Sequence, residues 1–392
     1  MHRRISFHRM VALVGTLTAA FVLFLANPAG ALSTYEVTNL VSDIPGLAAI
    51  TDAGLVNPWG ISSTSTSPFW VSDNGTGVVT LYNVNPNTNA TSKVGLVVTI
   101  PFAPPASTGT PTGQVFNTNA ASAFNGDVFL FVSEDGTISG WRGALGTSAE
   151  TLQVGSSTNV YKGTTEATIN GHSYLYAANF RAGTIDVLKG DAGAPNLTGN
   201  FIDPNLPAGF APFNIQNLGG KLYVTYAKQD AAGHDDVPGP GNGFVDIFDL
   251  NGTLLMRLIS DGALNSPWGL ALAPSNFNDF SNSLLVGNFG DGLINAFDPS
   301  TGAFLGQIQD DKNNPIVIEG LWGLKFGNGG NGGDPDALYF TAGISGDGMV
   351  EDHGLFGSIQ PIQPVPEPVT MLLLGSGLLG LAGYGRKKFF RK

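Results

Sequence analysis

Apolar and polar residues alternate with a period of two along most of the chain, in short runs broken by Gly, Asn and Asp. That pattern predicts half-buried β-strands joined by tight turns. Hairpin first strands include Phe69-Trp70-Val71-Ser72, Phe129-Leu130-Phe131-Val132 and Leu284-Leu285-Val286, and return strands include Val78-Val79-Thr80-Leu81-Tyr82 and Phe244-Val245-Asp246-Ile247-Phe248. Ahead of the hairpins an opening motif recurs: Asn57-Pro58-Trp59-Gly60-Ile61, Ala211-Pro212-Phe213-Asn214-Ile215, Ser266-Pro267-Trp268-Gly269-Leu270 and Gly320-Leu321-Trp322-Gly323-Leu324. Weaker copies are Thr110-Pro111-Thr112-Gly113-Gln114-Val115 and Thr164-Thr165-Glu166-Ala167-Thr168-Ile169. Six copies, near residues 57, 111, 164, 211, 266 and 320, predict six four-stranded units arranged radially, a β-propeller. A β-sandwich does not explain six similar units. The sixth copy lacks a fourth strand, and the orphan strand Tyr35–Leu40 is expected to supply it and close the ring.

The two ends break this pattern. Arg3, Arg4 and Arg9 precede an apolar run from Met10 to Ala26, and Ala29-Gly30-Ala31 fits the small-x-small cleavage rule. Residues 1–31 thus read as a signal peptide cut by signal peptidase after Ala31, or as a retained N-terminal anchor. At the other end the uncharged run Val369 to Gly385 covers roughly 25 Å as a helix, the short end of what crosses a bilayer. Pro366 and Pro368 fix its start, and the basic residues 386–392 are expected to stay cytoplasmic. The expected organisation is signal peptide 1–31, propeller 32–360, linker 361–368, transmembrane helix 369–385 and basic tail 386–392. The expected fold class is all-β, a single six-bladed propeller closed by its N-terminal strand, plus that one C-terminal transmembrane helix.

Val365-Pro366-Glu367-Pro368, the apolar run and the basic tail, in that order, resemble the PEP-CTERM sorting signal of Gram-negative bacteria. The resemblance implies recognition by an exosortase membrane peptidase and cutting near Pro366-Glu367-Pro368. Without cutting, the segment is a plain anchor. Both ends agree on export, with transient or stable tethering at the cell envelope and a destination at the cell surface or beyond.

Composition narrows the function classes. The chain has no cysteine, which excludes a disulfide framework, thiol chemistry and zinc–thiolate sites. Residues 32–361 hold 10 Lys+Arg against 29 Asp+Glu, a net charge of −19 compared with −12 for the whole chain. A body this acidic repels nucleic acid, favours solubility and is compatible with divalent cations.

The candidate chemistry is sparse. The stretch Lys228 to Gly243 is a long insertion in the fourth hairpin, and Asp230, His234, Asp235 and Asp236 offer ligands for calcium or another divalent cation. The alternative is a solvated acidic loop. Glu166 and Asn214 occupy the position that is Gly in the Trp-bearing copies, so their side chains are expected near the central channel. Trp59, Trp268 and Trp322 read as wedges between blades or as stacking platforms for a ligand. No Gly-x-Ser-x-Gly elbow is present, and His172, His234 and His353 are the histidines outside the leader. His353 is a candidate to join His234 on one face of the ring.

The Pro-Trp-Gly openings resemble those of NHL or SMP-30-like propellers, which hold calcium or zinc in the channel with Glu and Asn/Asp and hydrolyse lactones. Glu166 and Asn214 match that set, and the catalytic Asp has no counterpart. The body also resembles a family of uncharacterised exported bacterial proteins, through Ala211–Asn217, His234-Asp235-Asp236, Ser266–Ala271 and Leu285–Gly292. That resemblance implies a propeller and no reaction. The expected function is an exported, envelope-tethered propeller that binds a protein or extracellular glycan. The alternative is a divalent-metal-dependent hydrolase, lactonase-like, or a lyase, with Glu166 and His234 as its catalytic candidates.

Overall fold

The structure is a computed structural model that describes residues 34–362. These form six sheets arranged as blades, antiparallel except where the two-residue strand Ile50–Thr51 pairs parallel with Tyr35–Ser42. From the axis outward, blade 1 is Pro58–Ser62, Phe69–Asp73, Val78–Val84 and Thr91–Lys93, and blade 2 is Pro111–Phe116, Phe129–Ser133, Ile138–Trp141 and Glu150–Gln153. Blade 3 is Tyr161–Ile169, His172–Asn179 and Thr184–Lys189, and blade 4 is Phe210–Leu218, Lys221–Lys228, Phe244–Phe248 and Leu254–Ser260. Blade 5 is Pro267–Leu272, Leu284–Asn288, Ile294–Phe297 and Phe304–Gln307. Blade 6 is Leu321–Phe326, Leu338–Ala342 and Leu355–Pro361, with Tyr35–Ser42 as its outer strand. Each innermost strand contacts the next, and that of blade 6 contacts that of blade 1, so the ring is closed.

The N-terminal strand pairs antiparallel with the last strand, from Tyr35 opposite Pro361 to Ser42 opposite Leu355. It therefore supplies the strand that the sixth copy lacks and covers an edge otherwise open to intermolecular pairing. Two expectations need correction. Blade 3 has three strands, not four. The transmembrane helix is not part of this fold: the described residues hold no α-helix, only the short 3-10 turns Phe124–Gly126, Gly143–Leu145 and Asn278–Phe280, and none long and apolar enough to cross a membrane. The segment 369–385 that carried that expectation lies outside the described residues. The fold class is thus an all-β six-bladed propeller.

Side-chain alternation explains why the middle strands read as nearly continuous apolar runs. Phe129 and Phe131 pack toward blade 1, whereas Leu130 and Val132 pack toward blade 3. Likewise Leu284 and Val286 meet blade 4 while Leu285 meets blade 6. A strand between two blades buries both of its faces, so both sets of alternate residues are apolar. Every junction between neighbouring blades carries such a cluster, and a further aromatic cluster lies on the axis.

Near the axis the blades approach closely enough that side chains of one bond the backbone of the next. Gln114 Nε2 donates to Gly60 O at 2.8 Å, Thr112 Oγ1 to Tyr161 O at 2.7 Å, Asn214 Nδ2 to Trp268 O at 2.7 Å and Thr341 Oγ1 to Trp59 O at 2.5 Å. Gly113 shows how little room remains: a Cβ there would lie 2.5 Å from Thr164 N and 2.8 Å from Gly163 Cα, both backbone atoms. We expect Gly113→Ala to cost about 1–3 kcal/mol through overpacking. Gly95 has no atom within 4 Å of its built Cβ, and Gly95→Ala should leave stability unchanged. Urea unfolding of the two variants checks this, and equal midpoints would contradict it.

Candidate functional site

Every innermost strand carries a β-bulge near its start, from the first residue in five blades and from the third in blade 4. The register shifts fall between Pro58 and Ile61, Pro111 and Gln114, Tyr161 and Gly163, Pro212 and Asn214, Pro267 and Gly269, and Leu321 and Leu324. A bulge re-aims the side chain it carries. The bulges bring to corresponding positions Trp59, Thr112, Lys162, Phe213, Trp268 and Trp322, each followed by Gly60, Gly113, Gly163, Asn214, Gly269 and Gly323. In blade 3 the glycine position is therefore Gly163 and not Glu166, a correction of three residues to the sequence alignment. Lys162, absent from the sequence-based candidates, takes the place of tryptophan.

Four of these residues close one end of the channel. Trp59 and Trp322 stack with centroids 3.5 Å apart, Trp268 meets both edge-on at 6.1 and 5.8 Å, and Phe213 lies 5.8 Å from Trp322. Trp59 and Trp268 come from blades that are not neighbours, so the tryptophans meet across the axis and do not wedge between blades. All three are buried. Beneath them Gly60, Gly113, Thr164, Asn214 and Gln216 line a cavity with room for about one water molecule.

Lys162 is 2% exposed and lies 4.9 Å over the Trp59 ring. Its Nζ is 2.5 Å from Glu134 Oε1 and 3.4 Å from Asp235 Oδ1. Burial disfavours the ammonium, but the Glu134 carboxylate outweighs it and holds the Lys162 pKa above its ordinary value. Burial likewise works against the Glu134 carboxylate, and the charge and hydrogen bond of Lys162, with a bond from Asn74, hold it below the usual carboxylate range. From here a polar chain crosses five blades. Asn74 Nδ2 donates to Glu134 Oε2 at 2.9 Å, Asn57 Nδ2 reaches Asn74 Oδ1 at 3.5 Å and Glu351 Oε1 at 2.9 Å, and Trp322 Nε1 donates to Asn57 Oδ1 at 3.2 Å. On the other side His234 Nδ1 meets Asp235 Oδ1 at 2.8 Å.

Glu351 lies in the long loop of blade 6 at φ 79°, a left-handed conformation that a non-glycine residue holds only when its surroundings impose it. Burial pushes its carboxyl up to about 7; the Asn57 hydrogen bond opposes this, and the Glu134 charge adds to it. Two carboxyl groups in one network are thus driven apart, Glu134 downward and Glu351 upward, a pattern that separates acid from base roles in active sites.

The structure brings only some of the sequence candidates together. Asp230 Oδ1 accepts the His234 backbone N–H at 2.8 Å and caps the insertion. The His234 hydrogen bond, opposed by burial, lowers the Asp235 carboxyl to about 2, and the same bond raises the His234 imidazole. Asp236 forms a β-bridge with Gln229, and burial raises its carboxyl. Glu166 lies further along its strand, away from the mouth, accepting from Thr118 at 2.9 Å and Thr168 at 3.1 Å. Asn214 is used up by Trp268 O and by Ile215 N–H. Glu166 and Asn214 therefore do not converge on a ligand. His353, in the blade 6 loop at the same mouth as the His234 insertion, pairs with Asp43, whereas His172 pairs with Asp191 at the far end of blade 3.

Glu134, His234 and Asp235 each bring one ligand atom within 4.8 Å of the others. They do not suit a divalent cation, because the Lys162 ammonium already lies among them and His234 Nδ1 is engaged by Asp235. A second positive centre there would face a buried, charged lysine.

Comparisons with known proteins add two findings. The PEP-CTERM protein-sorting motif matches residues 364–387. Two relatives from Acanthamoeba polyphaga mimivirus cover most of the chain: Uncharacterized protein R648 is 33% identical over 86% of this chain and 83% of its own, and Uncharacterized protein L690 is 32% identical over 85% and 87%. Among solved structures, the PQQ-bound aldose sugar dehydrogenase of Streptomyces coelicolor matches with a TM-score of 0.47 and 14% identity, over 84% of this chain and 99% of that one. The Penicillium chrysogenum α-L-arabinanase matches with a TM-score of 0.47 and 9% identity, over 85% and 99%. At these scores the six-bladed assignment rests on the chain's own strand order.

The raised Glu351 carboxyl sets a pH dependence. In the unfolded chain this group releases its proton near the ordinary Glu pKa, and in the folded chain near 7. Between those values the folded state holds the extra proton, so this group's contribution to stability falls as pH rises through that window. Glu351→Gln removes the effect. Its stability relative to the parent should be higher at pH 8 than at pH 5, checked by urea unfolding at both; a difference independent of pH would contradict it.

Proposed function

We propose, for a chain that belongs to one family with the uncharacterized mimiviral proteins R648 and L690 and carries a PEP-CTERM sorting motif, an exported propeller that binds a partner on its closed mouth. The partner is a protein or an extracellular glycan of the envelope. One observation carries the reading: the two described ends lie on the face opposite the mouth. Ile362 N–H donates to Thr34 O at 2.8 Å, and Asn278 Nδ2 reaches Ile362 O at 3.4 Å. Asn278 sits in the loop after the first strand of blade 5, at the far end of the innermost strands from Lys162 and the tryptophans. The sorting motif begins two residues later, at 364. The mouth is thus on the face away from the described end at Ile362.

Processing follows the same reading: signal peptidase cuts after Ala31, and an exosortase-type enzyme acts at Pro366-Glu367-Pro368. The plugged channel supports recognition on the surface over chemistry in the channel. A metal-dependent lactonase-like activity loses support because Lys162 already lies among the candidate ligands. A second reading, metal-free acid–base catalysis by Glu134 and Glu351, draws on their opposed pKa shifts.

The chain has no cysteine, so single sites can be labelled. A dye on Met349→Cys, an exposed position at the mouth, should respond saturably to envelope material from the producing cell. A dye on Ser275→Cys, on the opposite face, should not. A response at Ser275 alone, or at neither site, sinks the reading. EDTA and millimolar calcium should both leave the Tm unchanged; a drop in Tm with EDTA would restore the metal.

A further inference from the structure

The polar chain at the mouth crosses blades 6, 1, 2, 3 and 4, and over blade 5 it is replaced by an apolar cleft of about 480 Å³. Phe289 forms its floor and stacks on Trp322 at 4.1 Å, which makes the cleft continuous with the aromatic plug. Pro238 of the blade 4 insertion and Val350 of the blade 6 loop are two walls, and Val317, on the segment entering blade 6, is the third. Val317 is 63% exposed and Val350 41%. These are isolated aliphatic groups held open to solvent between two raised loops, and Asp291 and Glu319 complete the lining, which contains no Lys or Arg.

We infer that this cleft is the docking site for a basic peptide segment of a partner protein, which inserts an apolar side chain against Phe289, Val317 and Val350 and sets flanking Lys or Arg near Asp291 and Glu319. The inference rests on the mouth being the binding face. The occupant follows from the chemistry of the lining. A glycan needs hydrogen-bond partners for many hydroxyls, and the side chains of this lining offer only two carboxylates, each already accepting at least two bonds. Asp291 accepts from Asn265 at 3.2 Å and from the Leu293 backbone at 3.1 Å, and Glu319 accepts from the Ser345 backbone at 3.1 Å and its hydroxyl at 2.8 Å. Their negative charge remains and acts over longer range on a cation. The apolar walls offer a peptide side chain what they cannot offer a sugar, and the volume suits one large side chain with its neighbours.

The test uses the purified full chain with three probes: a peptide of alternating Lys and Leu, the same peptide with Glu for Lys, and a neutral oligosaccharide. Trp322 beneath the floor makes intrinsic fluorescence a direct readout. The Lys peptide should bind saturably and at least about tenfold more tightly than the Glu peptide, with affinity falling as salt rises. Val317→Lys with Val350→Lys should weaken it by about tenfold or more, whereas Leu255→Lys, at an exposed site on the outer strand of blade 4, should not. Equal binding of the two charged peptides, no binding of the Lys peptide, or indifference to the paired substitutions overturns the inference. Binding of the oligosaccharide with the Lys peptide silent also overturns it and assigns the cleft to a glycan, while leaving the mouth as the binding face. Failure of the Met349→Cys dye to respond to envelope material is separate and bears on the broader reading.

Discussion

The mouth of this ring depends on one buried ammonium. Closing six blades brings the loops of alternate blades together over the axis, and they carry carboxylates: Glu134 from blade 2, Asp235 from blade 4 and Glu351 from blade 6. Left alone, these groups would repel one another in a poorly hydrated place. Lys162 supplies the compensating charge from inside, between Glu134 and Asp235 and over the face of Trp59. Burying such a pair is expensive, and it holds only because the remaining polar atoms are also met, by Asn74 on Glu134 and by His234 on Asp235. Among the described residues Glu351 has no such partner, and burial, helped by the Glu134 charge and opposed by Asn57 and Lys162, pushes its carboxyl up to about 7.

A second constraint fixes where function can reside. The recurrent bulge places a bulky residue near the mouth in every blade but the second, which has Thr112, and the following Gly or Asn lies where the next blade approaches. Three tryptophans and Phe213 then fill the end of the channel. The polar groups that might have lined an open channel are spent on the frame, as Gln114, Thr112, Asn214 and Thr341 each bond a carbonyl of an adjacent blade. What remains free is the rim built from the blade 4 insertion and the blade 6 loop, raised on the side away from the described chain ends.

Much of the fold was legible because strand identity lives in the period-two pattern. The six blades, five of their openings, the closing strand at Tyr35 and the blade 4 insertion all followed from it. Register did not, because a bulge changes the count by a residue without disturbing the alternation. The third copy was therefore placed on Thr164 when its opening is Tyr161-Lys162-Gly163, and that displacement put Glu166 in the site and left Lys162 out. The signal was present in the Lys-Gly pair, which matches Trp-Gly in the other copies. Glu134 stood in a recognised hairpin turn, Ser133-Glu134-Asp135-Gly136, where a carboxylate has an ordinary turn-forming reason to be. Glu351 carried no signal: its place depends on a long loop folding back over Asn57, a contact between residues 294 positions apart. The apolar segment 369–385 added a transmembrane helix to the expected fold class, and the described residues, which hold no α-helix, correct that class to an all-β propeller.

The most direct measurement of this account is a double-mutant cycle between Lys162 and Glu134, with Lys162→Met and Glu134→Gln followed by urea unfolding. If the ammonium holds the mouth together, Lys162→Met loses about 3–5 kcal/mol because it leaves a buried carboxylate unpaired, and the double variant recovers at least about 1 kcal/mol of the summed losses. Small, additive losses would contradict it and show that the mouth is held by the tryptophans alone.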